Sequence, residues 1–528
     1  MSTLTSRWLD RATETRAAVL DADGTHSYAE VVARSIRVAS ALLAGAAGSE
    51  ASRRVSLHRE RVAILVAPGA AFVEAFFGVL LAGGCVVVLS PLHPAPETRY
   101  FCEDAEVRTI LVSEEHSALV APLASSWDVK PLAPLLAASE QIGAVTAAAI
   151  ATSDDAPALQ LYTSGTTGKP KGAVITHSNL AIQQELVGRA WGFSPSDTLL
   201  HALPLHHMHG LAIALLTALG AGATTHLTTF DARATWNELH AATVFMGVPA
   251  MYHRLFVAFD AATDEERARW SSAARALRLA TSGSAALPVT IAERWRGITG
   301  NIPLERFGMT EIGVGISNTL EGPRFAGCVG FPLPTVDTRI VGDDGHVSDT
   351  GELWIRGPSV FACYHRRDEE TRQAFAIDPD GGPAWFKTGD TVTREAGSGG
   401  APGPFKILGR TSVDILKSGG YKLSALEIEE VLREHPAVGE VAVVGLPDEA
   451  WGDRVVACVV RSGPDATCDE ATLRAFAKER LAAYKVPKDI LFVPDLPKNS
   501  LGKVVKPTLA AQISLETRSY RGEIPSPR

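Results

Sequence analysis

The runs VAILVA, CVVVLS, RTILVS, TVFMGV and LRLATSG alternate with helix-length apolar stretches such as AFVEAFFGVLLA over roughly the first 330 residues. Strands that are apolar on both faces belong in parallel sheets covered by helices on each side, which fixes an α/β fold for this region. The most apolar segment, Ala75 to Leu89, carries Gly78, Gly83 and Gly84 and changes from a helix-like half to a β-branched half. It reads as a buried helix, a turn and a strand rather than a membrane span. Beyond residue 330, RIVGDDG, GELWIRG and FKILGR alternate in polarity and are punctuated by Gly and Asp, as in a small antiparallel β region. After Gly409 the texture changes again. A helix from Ser424 to Arg433, strands VAVVGLP and VVACVV and a helix TLRAFAKERLAAY make a compact α+β unit. The expected architecture is thus a large α/β N-terminal domain, 1–409, built from parallel sheets plus the small β region, followed by a mobile α+β C-terminal domain, 410–528. The stretch GSGGAPGP, Gly397 to Pro404, is a surface loop by composition.

A chain of 528 residues exceeds what one core normally serves, which agrees with two domains. Its net charge of -9 is the wrong sign for a polyanion-binding protein, so no nucleic-acid partner is expected. The six cysteines are scattered without CxxC pairs or zinc spacing, so a reducing compartment is the default. Near the N-terminus Arg7, Arg11 and Arg16 are interleaved with Asp10 and Glu14, with no apolar core, which argues against a secretory signal. A cytoplasmic monomer or homodimer without membrane insertion is expected.

The segment LQLYTSGTTGKPKGAVITH, Leu159 to His177, carries the most specific chemistry. A strand runs into small, hydroxyl-bearing and glycine residues, Thr163, Ser164, Gly165, Thr166, Thr167 and Gly168, with Lys169 and Lys171 following. Backbone N–H groups, hydroxyls and ammonium groups can converge there on phosphate oxygens without obstruction. The Walker pattern is not met, because Gly168-Lys169 is followed by Pro170, so a P-loop NTPase fold does not follow.

That string resembles the phosphate loop of the acyl-CoA synthetase, luciferase and non-ribosomal adenylation superfamily, whose later motifs follow in order. They are LPLHHMHG (Leu203 to Gly210), SGSAALP (Ser282 to Pro288), ERFGMTE (Glu305 to Glu311), FKTGD (Phe386 to Asp390), GRTSVDILKSGGYKLSALEIE (Gly409 to Glu429) and PKNSLGK (Pro497 to Lys503). The resemblance implies an adenylate-forming ligase that uses ATP, Mg²⁺ and coenzyme A. In ERFGMTE it makes Glu311 a magnesium ligand, Thr310 a phosphate contact and Phe307 a face for adenine. Glu305, Arg306, Gly308 and Met309 complete that nucleotide-binding segment. Ser284 and Ala285 would contact adenine and line the acyl site. Asp390 would accept hydrogen bonds from the ribose hydroxyls, with Arg410 as its companion, and Lys503 would bridge carboxylate and α-phosphate. Lys503, Thr310 and Glu311 are therefore the expected catalytic residues. The resemblance also implies that the small domain rotates about a hinge after Arg410, withdrawing Lys503 and presenting Ser418, Gly419, Gly420 and Tyr421 to coenzyme A. One residue more than usual between Arg410 and Asp414 leaves Ser412 and Val413 both open as the pivot.

The acyl pocket is expected from FMGVPAMYHRLF together with His207, Ser284 and Met309. Val248, Met251 and Leu255 are spaced for an inward helix face, with Pro249 in the first turn and Arg254 near the pocket edge. A buried guanidinium needs an anionic partner, and a second carboxylate on the substrate would supply it. HHMHG, MGVPAMYHRL, GSAALP with ERFGMTEIG, and TSVDILKSGGYK together resemble malonyl-CoA synthetases, which implies malonate or methylmalonate as substrate. A short- or medium-chain monocarboxylate ligase, or a free-standing adenylation enzyme loading a carrier protein, is the alternative. A non-catalytic nucleotide-binding protein would have no need of both Glu311 and Lys503.

Overall fold

The computed structural model describes residues 1–44, 55–163, 170–378, 381–397, 402–448, 451–463, 466, 468–499 and 502–520. Two sheets form the body of the large unit. One runs, edge to edge, Cys363–Tyr364, Lys171–Thr176, Pro157–Thr163, Cys85–Val88, Arg61–Leu65, Thr109–Val112, Asp128–Pro131, and is parallel from Pro157–Thr163 onward. The other has Leu304–Met309, Leu279–Ser282, Val244–Gly247, Thr198–His201, Thr224–Leu227 and Ala17–Asp21 as its parallel centre, with antiparallel edges. The five apolar runs named above are all strands of these sheets. The helix Ala70–Leu81 is apolar except for Glu74 and buried along nearly its whole length, as an inter-layer helix must be. Its Phe77 stacks on Trp8 with ring centroids 3.9 Å apart.

The alternating segments after residue 330 form the expected antiparallel sheet, Asp337–Val341, Thr350–Arg356, Trp385–Ala396 and Pro402–Arg410. Its last strand ends at Arg410, paired in register with Asp390, so the expected break between 409 and 410 falls at the end of this strand. The hydrophobic cores divide nearby, the large-unit core including Phe405 and the cores of the C-terminal unit beginning at Leu416. In that unit the helix Ala425–Arg433 starts on Ser424, whose Oγ accepts from the Glu427 N–H at 3.1 Å. The next helix spans Glu470–Lys478 and stops short of the expected Tyr484. Leu481 turns into the core there and Lys485 reaches back to Glu427 at 2.6 Å, contacts that a continued helix would not make.

Several contacts dock the C-terminal unit on the large one. Glu430 Oε1 accepts from the N–H of Val289 at 2.7 Å, capping the helix Val289–Thr299, and Lys422 pairs with Asp343. Gly502 lies against Ala250 on the helix Pro249–Asp260, its Cβ position 3.4 Å from that of Ala250.

Candidate active site

Thr163 ends one strand of a hairpin and Lys171 opens the next, directly across from it. Ser164, Gly165, Thr166, Thr167, Gly168 and Lys169 lie outside the described residues. Lys171 Nζ sits 5.4 Å from the ring centre of Tyr364, whose hydroxyl donates to Glu311 Oε1 at 2.8 Å. Glu311 is only 4% exposed. Burial raises its carboxyl above the usual range, while the Tyr364 hydroxyl, Arg410 and Lys171 pull it back. Tyr364 was not singled out in the sequence; its pairing with Ala173 on the strand after the phosphate loop brings it here.

A second group gathers at the domain junction. Burial pushes the Asp390 carboxyl up to about 6, with Arg410 and then Lys503 acting against it and Asp414 and Glu311 acting with it. Arg410 Nη1 lies 3.4 Å from Asp390 Oδ2 and also donates to the Thr388 carbonyl. Lys503 therefore stands in the field of Asp390 while its neighbour Gly502 rests on the helix expected to wall the acyl pocket. Residues far apart in sequence, Glu311, Asp390, Arg410 and Lys503, are brought into one electrostatic cluster.

The third group lies where the strand Leu279–Ser282 ends. Ser284 and Ala285 are exposed, and Ser284 holds a left-handed φ of +69°, a conformation that costs a non-glycine residue energy. Its Oγ is 3.1 Å from His209 Nδ1, at the start of a π-helical segment His209–Leu216. The rings of His206 and His207 lie 4.1 Å apart, and burial lowers them to about 3 and about 4 respectively, so both are neutral imidazoles at pH 7. Burial likewise holds His209 well below the usual histidine range, with Arg306 adding to the effect. The Nε2 atoms of His206, His207 and His209 have no hydrogen-bond partner among the described residues. His209 was not among the expected site residues, although its motif was.

Within ERFGMTE, Phe307, Gly308, Met309 and Thr310 are half-buried at the strand end and the turn after it. Glu305 is buried, accepts from the Gly327 N–H at 3.0 Å and is pushed by burial to about 8, so it is a neutral carboxyl at pH 7. Arg306 is 6% exposed, and its Nε and Nη2 have no partner among the described residues. It packs under Gly283, where a Cβ would stand 2.4 Å from Nε, so a side chain there would force the guanidinium to shift.

Arg254 corrects an expectation: its side chain is exposed, with its guanidinium carbon 5.4 Å from the Phe230 ring centre. The buried guanidinium is Arg306 instead. Ser418, Gly419, Gly420 and Tyr421 form the tight turn of the hairpin Ile415–Ser418 and Tyr421–Ser424, with φ of +58° and +84° at the two glycines, as a primed hairpin turn requires. Tyr421 is exposed and stacks on Tyr484 at 4.3 Å.

The chain belongs to the AMP-binding enzyme family, whose model matches residues 6–365, while the model of the AMP-binding enzyme C-terminal domain matches residues 427–503. It is 38% identical to the mitochondrial malonate–CoA ligase ACSF3 of Bos taurus, over 94% of this chain and 88% of that one. Among solved structures it resembles ATP-bound MatB from Rhodopseudomonas palustris, with a TM-score of 0.84 and 34% identity over 96% of this chain and 98% of that one. A malonyl-CoA ligase in ternary product complex with methylmalonyl-CoA and AMP, also 34% identical, superposes at 0.65 over 93% of this chain and 99% of that one.

Proposed function

We propose that the protein is an AMP-forming malonate–CoA ligase that also accepts methylmalonate. The acid's carboxylate oxygen attacks the α-phosphorus of ATP, the bond to the pyrophosphate oxygen breaks, and acyl-AMP forms. The sulfur of coenzyme A then attacks the acyl carbon and AMP leaves. The observation that carries this reading is the placement of Lys503, in the field of the Asp390 carboxylate and one residue from the contact with the acyl-pocket helix. An ammonium there can hold the acid's oxygen and the α-phosphate together and offset the charge that accumulates as they join. Thr163, Lys171, Thr310 and the loop residues 164–169 hold the phosphates in this reading, Phe307 and Ala285 flank adenine, and Asp390 takes the ribose hydroxyls.

Glu311 fits a magnesium ligand. A buried carboxyl whose charged form is disfavoured by burial is relieved by a cation, and one carboxylate suffices for Mg²⁺, which keeps water and phosphate oxygens around it. When bound, the ion would neutralise phosphate charge.

Domain rotation is part of the proposal. At equal identity the chain is closer to the ATP-bound relative than to the product complex, which supports an adenylate-forming arrangement with Lys503 engaged. The turn Ser418–Tyr421 would replace it at the cleft in the second step. Arg254 remains a candidate for the acid's distal carboxylate at the pocket edge. A cytoplasmic location is carried with this reading, and imaging the tagged chain decides it; among the described residues no helix is long and apolar enough to cross a membrane.

The test is pyrophosphate and AMP release with malonate, methylmalonate, acetate and butyrate, each with and without coenzyme A. Malonate with coenzyme A should give the highest rate and malonyl-CoA as product. Preference for butyrate would favour the monocarboxylate reading, and no pyrophosphate with any acid would overturn the whole assignment.

A further inference from the structure

Resting on that reading, we propose that Glu430 is a positioning residue of the adenylation step: its carboxylate, carried by the small domain, holds the acyl-site turn of the large domain and with it the arrangement in which Lys503 is engaged. The helix Val289–Thr299 begins without a cap of its own. Pro288 stands at its N-cap position and offers no side-chain acceptor, and the first turn contains no acidic residue. The first N–H groups of a helix need acceptors and carry partial positive charge, so an anion is doubly favoured there. Glu430 supplies it from the helix Ala425–Arg433, with Oε1 accepting from Val289 at 2.7 Å and from Thr290 at 3.4 Å. Its Oε2 accepts from Arg433 at 2.8 Å, so both oxygens are held and the carboxylate is fixed in direction.

What this helix start holds is the turn from Gly283 to Pro288, which carries Ser284 and Ala285. The turn leaves the buried strand Leu279–Ser282 at one end and is pinned at the other by two carboxyl groups. Glu305 accepts from the Leu287 N–H as well as from Gly327, and Glu430 accepts from Val289. The two carboxyl groups are near enough that the charge of Glu430 adds to the burial that raises Glu305. The ERFGMTE strand, the acyl-site turn and the small domain are thus joined through Leu287, Pro288 and Val289. The strained φ of +69° at Ser284 persists only where its surroundings over-determine it, and Glu430 is the constraint that departs with the small domain. The ion pair Lys422–Asp343 also links the two units, but its side chains are 45% and 79% exposed, and a pair so open to water contributes little. Rotation takes Glu430 away from the helix start, so its contact favours the arrangement of the first chemical step alone.

The experiment uses the full-length chain and reads the two half-reactions separately: ATP–pyrophosphate exchange driven by malonate, and malonyl-CoA formation from chemically prepared malonyl-AMP and coenzyme A. Glu430→Ala should lower kcat for exchange about three- to thirtyfold, the range of a lost helix cap, and leave the KM for ATP within about twofold. Thioester formation from malonyl-AMP should be unchanged or faster. Glu430→Gln keeps an acceptor oxygen without the charge and should fall between wild type and Glu430→Ala. With ATP bound, hydrogen exchange read by mass spectrometry should show the start of the helix Val289–Thr299 losing protection in Glu430→Ala. Equal loss in both half-reactions would make Glu430 a residue of the fold and overturn the proposal, as would pyrophosphate exchange unchanged from wild type. Should Glu430→Ala not fold, Glu430→Gln decides by the same two comparisons. If wild-type protein forms malonyl-CoA while the variants show no split between the half-reactions, the ligase reading stands and only the assignment of Glu430 falls. If wild-type protein releases no pyrophosphate with any acid, both fall.

Discussion

Lys506 offers the sharpest energetic test of how the small domain is held to its hinge. It opens the helix Lys506–Tyr520, and its ammonium lies 2.5 Å from Asp414 Oδ1 and 2.7 Å from Glu429 Oε1. The three side chains are 10%, 14% and 7% exposed, so this is a buried charge cluster rather than a surface pair. Asp414 also accepts the Arg410 N–H at 3.0 Å, and Glu429 the Val443 N–H at 2.8 Å, so the ammonium ties the C-terminal helix to both the hinge and the central hairpin. Burial alone would lower the lysine, but Glu429 and then Asp414 outweigh it and the value is raised. A raised lysine contributes stability that is fully present below its unfolded value, about 10.4, and is lost only as pH rises through the higher folded value. At pH 7 the whole contribution is therefore available. Lys506→Met leaves two buried carboxylates facing each other, which should cost about 3–5 kcal/mol. Hydrogen exchange read by mass spectrometry in Val438–Asp448 and Gly452–Arg461 should then accelerate roughly 10²–10³-fold relative to wild type, with strands of the parallel sheets unaffected. Exchange unchanged within about twofold would refute the reasoning. So would equal acceleration on replacing all three residues by apolar ones of similar volume, because that removes the stranded charges along with the pair.

Two further outcomes follow from the junction and the pocket edge. Asp390 must be ionised to accept two ribose hydroxyls, and its value of about 6 means that exchange at limiting ATP should rise with pH through about 6 and level off above 7; Asp390→Asn should abolish that step and raise the KM for ATP about tenfold, about 1.4 kcal/mol, and a flat wild-type profile between pH 5 and 7 contradicts the assignment. Arg254→Ala should cost orders of magnitude in kcat/KM for malonate and spare monocarboxylate exchange if the exposed guanidinium closes over the distal carboxylate; equal loss on both acids refutes that clamp.

The layered fold was legible because buried parallel strands leave continuous apolar runs, and CVVVLS or RTILVS can be little else in a globular chain. The contiguous motifs likewise carried Glu311, Asp390, Arg410 and Lys503. Tyr364 was not legible, since nothing local links it to Glu311, and only the pairing of Cys363–Tyr364 against Lys171–Thr176 does. The burial expected of the Arg254 guanidinium is the instructive error, since the side chain is exposed. In Pro249–Asp260 the buried residues are Met251, Tyr252, Leu255 and Phe256. At about 100° per residue, position 254 falls on the opposite side from the centre of that face, so the period itself argued for solvent. The spacing of Val248, Met251 and Leu255 was correct, but it was read as if a neighbour of the face must share it.

Arg306 shows the converse limit. A charged residue inside a strand motif says nothing about where its guanidinium ends, and the sequence placed Arg306 only in the nucleotide-binding segment. Its want of partners is visible only in three dimensions. Around the end of the strand Leu279–Ser282, Thr281 Oγ1, Ser282 Oγ, Arg306 Nε and Nη2 and His209 Nε2 are buried without partners among the described residues, and the adjoining Ser284 is strained. Each such atom costs stability, so their concentration at one place is local inconsistency of the kind that function retains. A ligand able to satisfy them gains more from these groups than it would from a flexible surface, because their desolvation is already complete before it arrives.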